Sequence, residues 1–189
     1  MRAQPKLCVA AAASLLSLLA SCESSPWYEH RFQPAPLEAE VSTQAVPGSQ
    51  MRALVTVLGI EKGRDGKKDR ALVRMRLENI GTSPAGFDSA ASSLVTADLK
   101  PFGPPATTPA GKDAIPPGSN GEYDVEFPLP EGKGPYDLDL SGLNLRFTVV
   151  FGETKVTTGM TFQRTDWRYL EPGYPRWQVG VGVGWTRFN

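Results

Sequence analysis

Between Arg70 and Glu78 the chain alternates almost without a break. Ala71, Val73, Met75 and Leu77 fall on one side and Arg70, Arg74, Arg76 and Glu78 on the other, with Leu72 the exception. A period of two puts successive side chains on opposite faces of an extended strand, so this segment reads as a half-buried strand. The pattern recurs. Tyr123, Val125 and Phe127 oppose Glu122, Asp124 and Glu126, and Leu145, Phe147, Val149 and Phe151 form another inward set. Val156, Thr158, Met160 and Phe162 share a face beyond a Gly152-Glu153 turn. Arg52 to Ile60 predicts a buried strand and Leu94 to Leu99 a shorter one. With 19 Gly and 17 Pro, the chain is rich in turns, and no convincing amphipathic helix follows residue 21. Six or seven strands in roughly 115 residues predict an all-β, two-sheet antiparallel sandwich.

The N-terminus carries a different signal. Arg2 and Lys6 give a basic start, and Leu7 to Ala20 is apolar but too short to span a bilayer. It ends in Leu19-Ala20-Ser21-Cys22, which resembles the lipobox of bacterial lipoproteins. That resemblance implies cleavage before Cys22, diacylation of its thiol and acylation of the new amine. Two or three acyl chains anchor stably where one is marginal. Glu23 stands where Asp favours inner-membrane retention in similar lipoproteins. The resemblance therefore implies an outer-membrane anchor facing the periplasm, or the cell surface in an organism with one membrane.

Four segments follow: a signal peptide over 1–21, a lipidated Pro-rich tether over 22–50, the sandwich over 51–164 and an aromatic, Gly-rich extension over 165–189. As an extended chain the tether would hold the domain ~80 Å from the membrane, and as a coil roughly 30 Å. Trp27, Tyr28, His30 and Phe32 interrupt its composition and are candidates for the membrane interface or for packing back on the domain.

Within 51–164, Leu77-Glu78-Asn79-Ile80-Gly81, Phe87, the Leu94-to-Phe102 strand, Ile115-Pro116-Pro117-Gly118 and Tyr123-x-Val125-x-Phe127-x-Leu129-Pro130 follow in order. This order is similar to the telokin-like, immunoglobulin-fold domains of bacterial surface lipoproteins. The resemblance implies an immunoglobulin-like sandwich with no established enzymatic activity. The chain departs from it in lacking paired cysteines and in carrying the C-terminal extension.

Chemistry-bearing residues are sparse. Cleavage would remove Cys8 and lipid would consume Cys22, leaving neither a disulfide nor a Cys metal site. The sole His30 falls in the tether, and Gly118-Ser119-Asn120-Gly121 lacks the Gly-x-Ser-x-Gly elbow and reads as a turn. The pair Asp137 and Asp139, and the trio Glu122, Asp124 and Glu126, each share a face and read as solvated acids ahead of a glycosidase pair. Asp65-Gly66 through Asp69 lacks the ligand spacing of a calcium loop. No metal and no cofactor is expected.

The 20 basic and 20 acidic side chains balance, which gives no argument for nucleic acid. Lys62, Arg64, Lys67, Lys68 and Arg70, extended by Arg74 and Arg76, form a basic hairpin tip suited to anionic head groups or acidic wall polymer, or to solvent alone. In the extension, Trp177, Val179, Val181, Val183 and Trp185 alternate with Gln178, Gly180, Gly182 and Gly184. A strand with one bulky face and one bare face must be paired or covered, either within the domain or by a partner.

The reading is a lipid-anchored, non-catalytic interaction or scaffold module of the cell envelope. It would bind an envelope protein or wall polymer, or a second copy, through a sandwich edge or the C-terminal strand. The alternatives are an enzyme or accessory factor acting on wall polysaccharide, and a small-ligand carrier.

Overall fold

A computed structural model describes residues 26–28, 30–64, 66–110 and 114–165. Among the described residues nine strands follow in the order β1 (Arg31–Gln33), β2 (Leu37–Ser42), β3 (Gln50–Glu61), β4 (Arg70–Asn79), β5 (Gly86–Thr96), β6 (Ala106–Thr108), β7 (Asn120–Pro128), β8 (Gly142–Phe151) and β9 (Thr154–Thr165), with a 3₁₀ turn at Pro135–Asp137. They build two antiparallel sheets, ordered β2-β3-β4-β7-β6 and β1-β9-β8-β5. Taking β3 to β9 as strands A to G gives ABED against CFG, the constant-type immunoglobulin order. The chain is therefore an immunoglobulin-like sandwich with two added N-terminal strands. Among the described residues, no helix is long and apolar enough to cross a membrane.

The alternating sets form the core. Val55, Val73, Met75, Leu77, Val125 and Phe127 face Leu143, Leu145, Phe147, Phe151 and Phe162, all buried. Phe87 and Tyr123 meet across the layers with ring centroids 4.9 Å apart.

Three expectations are corrected. The tether over 22–50 does not extend through residues 31–50. β1 pairs with Gln163–Thr165 of β9, and β2 pairs with Gln50–Val55 of β3. The prolines that suggested an open chain, Pro34 and Pro36, stand between the two strands, where the chain crosses from one sheet to the other. There a missing N–H removes no ladder bond. His30 is accordingly buried rather than tethered.

The Leu94–Leu99 strand ends instead at Thr96. Leu99 lies in the following turn at φ 63° and is 72% exposed. The Pro101–Ser119 loop is pinned at three points: buried Phe102 and Ile115, and β6, which pairs with β7.

Gly59 creates the seat for the N-terminal residues. It lies at a bulge in β3 with φ +133°. A Cβ there would come within 3.0 Å of the His30 carbonyl and 3.6 Å of the Trp27 ring, so only glycine lets Trp27 and His30 lie this close.

Candidate functional site

The β3–β4 loop projects from the end of the sandwich where the N-terminal residues join the fold. It is a built loop. Gly63 N–H and Tyr28 Oη both donate to the Asp69 carboxylate, at 2.8 and 2.7 Å. Lys62 N–H donates to the Pro26 carbonyl at 2.6 Å, and Tyr28 N–H donates to Ile60 O. A side chain at Gly63 would collide with the Lys67 carbonyl, which fixes the tightness of the turn.

Above it sits an aromatic cluster. Tyr28 makes edge contacts with His30 and with Tyr136, at 6.3 and 5.9 Å, and Lys62 Nζ lies 5.2 Å from the Tyr28 ring centre. This last spacing is that of a cation–π contact.

The five candidate basic residues divide. Lys62, Arg64 and Lys67 make no ion pair among the described residues, and Lys68 reaches Glu131 only at 3.9 Å. Arg70 does not belong to the tip. It is held by Glu61 at 2.7 Å and Glu126 at 3.1 Å. Nor do Arg74 and Arg76 extend it: Arg74 binds both carboxylate oxygens of Asp124 at 2.8 and 3.0 Å, and Arg76 binds Glu78. The reason is sheet register. Arg70 stands opposite Glu61, and Arg74 opposite Asp124.

The same register occupies the suspected carboxylates. Arg74 draws the Asp124 carboxyl below its ordinary range, and Asp124 raises Arg74 in turn. Asp137 and Asp139 do not share a strand face. Asp137 accepts from Gly134 N–H in the 3₁₀ turn, and Asp139 accepts from Ser141 N–H. Ser119 lies in the turn before β7. Among the described residues, no group of three or more His, Cys, Asp or Glu could hold a metal ion. Cys22, the Leu19-Ala20-Ser21 recognition residues, and Trp177, Val179, Val181, Val183 and Trp185 lie outside the described residues.

The Tyr28–Asp69 bond makes a test of the loop's integrity. The hydrogen bond to Asp69 is the main cause that pushes the Tyr28 hydroxyl from 10.0 to about 12, with burial and the Asp69 charge adding to it. A raised pKa on an acid means that folding favours the neutral form. The contribution is therefore complete below pH 10 and lost as pH rises towards about 12. Tyrosinate absorbance should show a late-titrating component that is lost in Tyr28→Phe and shifted towards the ordinary value in Asp69→Asn.

A second surface is the outer edge of β9. In the two-residue β8–β9 hairpin, Phe151 and Thr154 form the closing hydrogen-bonded pair. The N–H and C=O groups of Lys155, Thr157, Gly159 and Thr161 therefore point away from β8. β1 covers only Gln163–Thr165, and on the side away from β8 no described strand pairs with β9 from Thr154 to Phe162. The adjoining outer face is polar and ordered by Thr148–Thr157, Thr161–Asn144 and Lys155–Asp88 bonds at 2.9, 2.8 and 2.7 Å. Lys155 holds the Asp88 carboxyl below its usual range.

Sequence reasoning offered Trp27, Tyr28, His30 and Phe32 as candidates for packing back on the domain, and a sandwich edge for contact, but it missed the meeting of Tyr28 and His30 with Tyr136 and which edge stays open. The cluster had a signal: Tyr28, His30 and Phe32 fall at every second position, as do Leu37, Ala39 and Val41. Proline content hid it.

No protein-family model matches the chain, and no curated protein matches it. Among solved structures it is similar to the Northeast Structural Genomics Consortium target SoR45, at 12% identity and a TM-score of 0.33, over 81% of this chain and 95% of that one. It is also similar to the ASH/PapD-like domain 7 of human CEP192, at 13% identity and a TM-score of 0.29, over 75% and 87%. The immunoglobulin-like assignment rests on the strand order itself.

Proposed function

We propose that this protein is a lipid-anchored, non-catalytic interaction module of the cell envelope that binds a partner by main-chain pairing at the edge of its sandwich. The observation that carries this reading is the open edge of β9. An edge strand with outward N–H and C=O groups is a template for strand addition, where the backbone supplies affinity and neighbouring side chains supply selectivity. The exposed surface along this edge is threonine-rich rather than apolar, which suits a partner that associates and leaves. Trp177 to Trp185 lie beyond the end of β9 in the chain and would contribute aromatic anchors to the same contact. The lipobox-like Leu19-Ala20-Ser21-Cys22 places this activity at a membrane.

The alternatives have less support. Of the acidic side chains that a wall hydrolase would use, Asp124 and Glu126 are engaged with arginines, and Asp137 and Asp139 with turn N–H groups. A carrier needs an apolar cavity, whereas the described hollow of about 660 Å³ is lined largely by polar residues such as Ser42, Thr43, Gln50 and Thr82.

Thr157→Pro tests the reading. It removes one outward N–H while leaving the inward β8–β9 ladder intact. Loss of the Thr148–Thr157 bond should cost about 1 kcal/mol, so the domain stays folded. Crosslinked capture of an envelope partner by the full-length protein should fall about tenfold, the equivalent of 1.4 kcal/mol. A chain cut after Pro175 should weaken capture as well. Undiminished capture by both variants would sink the proposal.

A further inference from the structure

We infer that the end of the sandwich carrying Lys62, Lys67, Lys68 and Leu99 docks on an anionic lipid surface, so that the domain lies against its own membrane instead of standing off it. This deepens the reading above and rests on anchoring at Cys22.

The first observation is reach. Because residues 26–28 belong to the fold, with Trp27 bridged to Glu61 and Lys62 bonded to Pro26, what separates anchor from domain is short. Four residue steps from Cys22 to Pro26 span at most about 14 Å when fully extended. Within that reach this end of the domain can approach the head groups to less than the Debye length of ~8 Å at physiological salt, where its charges feel their field. The opposite end of the sandwich, with Ile80, is held away by the length of the strands.

The second observation is what the topology gathers at this end. The β3–β4 loop, the turn after β5, the segment after β7 and the last residues of β9 all lie there. Register shows it: Glu61 pairs with Arg70, Arg70 with Pro128, Thr96 with Leu143, and Gly142 with Gln163. Among the described residues, two of the three exposed large hydrophobic residues, Leu99 at 72% and Tyr136 at 83%, stand at this end. Their loops are joined by the bond from Ala97 N–H to Asp139 O.

Lys62, Arg64, Lys67 and Lys133 make no ion pair among the described residues. Three of the described acids nearby are engaged by the protein, while Glu131, 93% exposed, reaches only Lys68 at 3.9 Å. Asp69 accepts from Tyr28 and Gly63, Asp98 is paired with Lys100 at 2.8 Å, and Asp137 caps its turn. Lysines beside an exposed leucine and tyrosine match an interface that is anionic at the surface and apolar just beneath it.

The test uses the full chain, processed and lipidated, in vesicles of phosphatidylethanolamine with phosphatidylglycerol or of phosphatidylcholine alone. An environment-sensitive probe is placed on Leu99→Cys or, at the far end, Ile80→Cys. In anionic vesicles the Leu99 probe should be shielded from an aqueous quencher while the Ile80 probe remains open. The docked-to-undocked ratio should fall about fivefold for each lysine replaced in the series Lys62→Gln, Lys67→Gln and Lys68→Gln.

Equal quenching at both positions, with the protein still floating with the vesicles, would overturn the docking and leave the anchor intact. Equal shielding of Leu99 on both vesicle types would overturn the role of charge. A chain that does not float, and behaves as Cys22→Ser does, would overturn the anchor itself and the docking with it.

Discussion

A chain beginning at Met51 should fail to fold stably, whereas one beginning at Glu23 should unfold cooperatively. The shorter chain starts where composition alone places the domain boundary, yet it lacks β1 and β2. Phe32 and Val41, each 3% exposed, lose their place in the core, and burial of two such side chains is worth about 4 kcal/mol. The six-residue pairing of β2 with β3 is lost as well, and with it the β1 cover over the end of β9. Against a typical total of about 5–15 kcal/mol this is a large fraction. Thermal unfolding followed by circular dichroism should show the midpoint lowered by at least about 10 °C, or no transition at all. Equal midpoints for the two chains would return residues 26–50 to the status of a tether, and would remove the short-reach argument for membrane docking.

Asn79→Ala should destabilise the protein by about 3 kcal/mol although it removes no apolar surface. Asn79 is 1% exposed, and its amide joins three segments. Nδ2 donates to the carbonyls of Ser83 and Ile115 at 2.9 and 2.8 Å, and Oδ1 accepts from Gly81 N–H at 3.1 Å. Its backbone also bonds to Ser119 and Gly118. Alanine removes one of the two donors to the buried Ile115 carbonyl, leaving Ala85 N–H, and with the bonds to Ser83 and Gly81 also lost it frees the end of the long β6–β7 segment. Denaturant unfolding of the variant should show a lowered midpoint. Hydrogen exchange should rise first at residues 114–119, before the sheets open. Asn79→Asp should cost at least as much, since a carboxylate would face two carbonyl oxygens. A variant as stable as the parent would mean that the amide's bonds contribute nothing net.

The Leu77-to-Gly81 segment shows how far local sequence reaches. Its alternation and its Asn-Ile-Gly ending predicted a strand and its stop, and both are present. What the pattern could not convey is that Asn79 would close the far end of the sandwich by bonding to Ile115, 36 residues away. The basic tip shows the same division. The charges at Lys62, Arg64, Lys67 and Lys68 were legible as a cluster, but the removal of Arg70 and Arg74 from it depended on which acids register placed opposite them, and Arg76 pairs with Glu78 along its own strand. Residues 26–42 mark the clearest shortfall. Their period of two is short, is broken by Pro34 and Pro36, and is divided between two sheets.

The sequence by itself determined the all-β class, the inward faces of the main strands and the turns between several of them. Alternation of apolar and polar side chains is a local property, and burial on one face of a strand is its direct physical consequence. Only the tertiary structure decided that β1 and β2 belong to different sheets and that β9 keeps an open edge. It also gathered Tyr28, Tyr136, Leu99 and the loop lysines at the end where the chain enters the fold. These features depend on pairing between strands far apart in the chain, and no periodicity within a single strand encodes its neighbour.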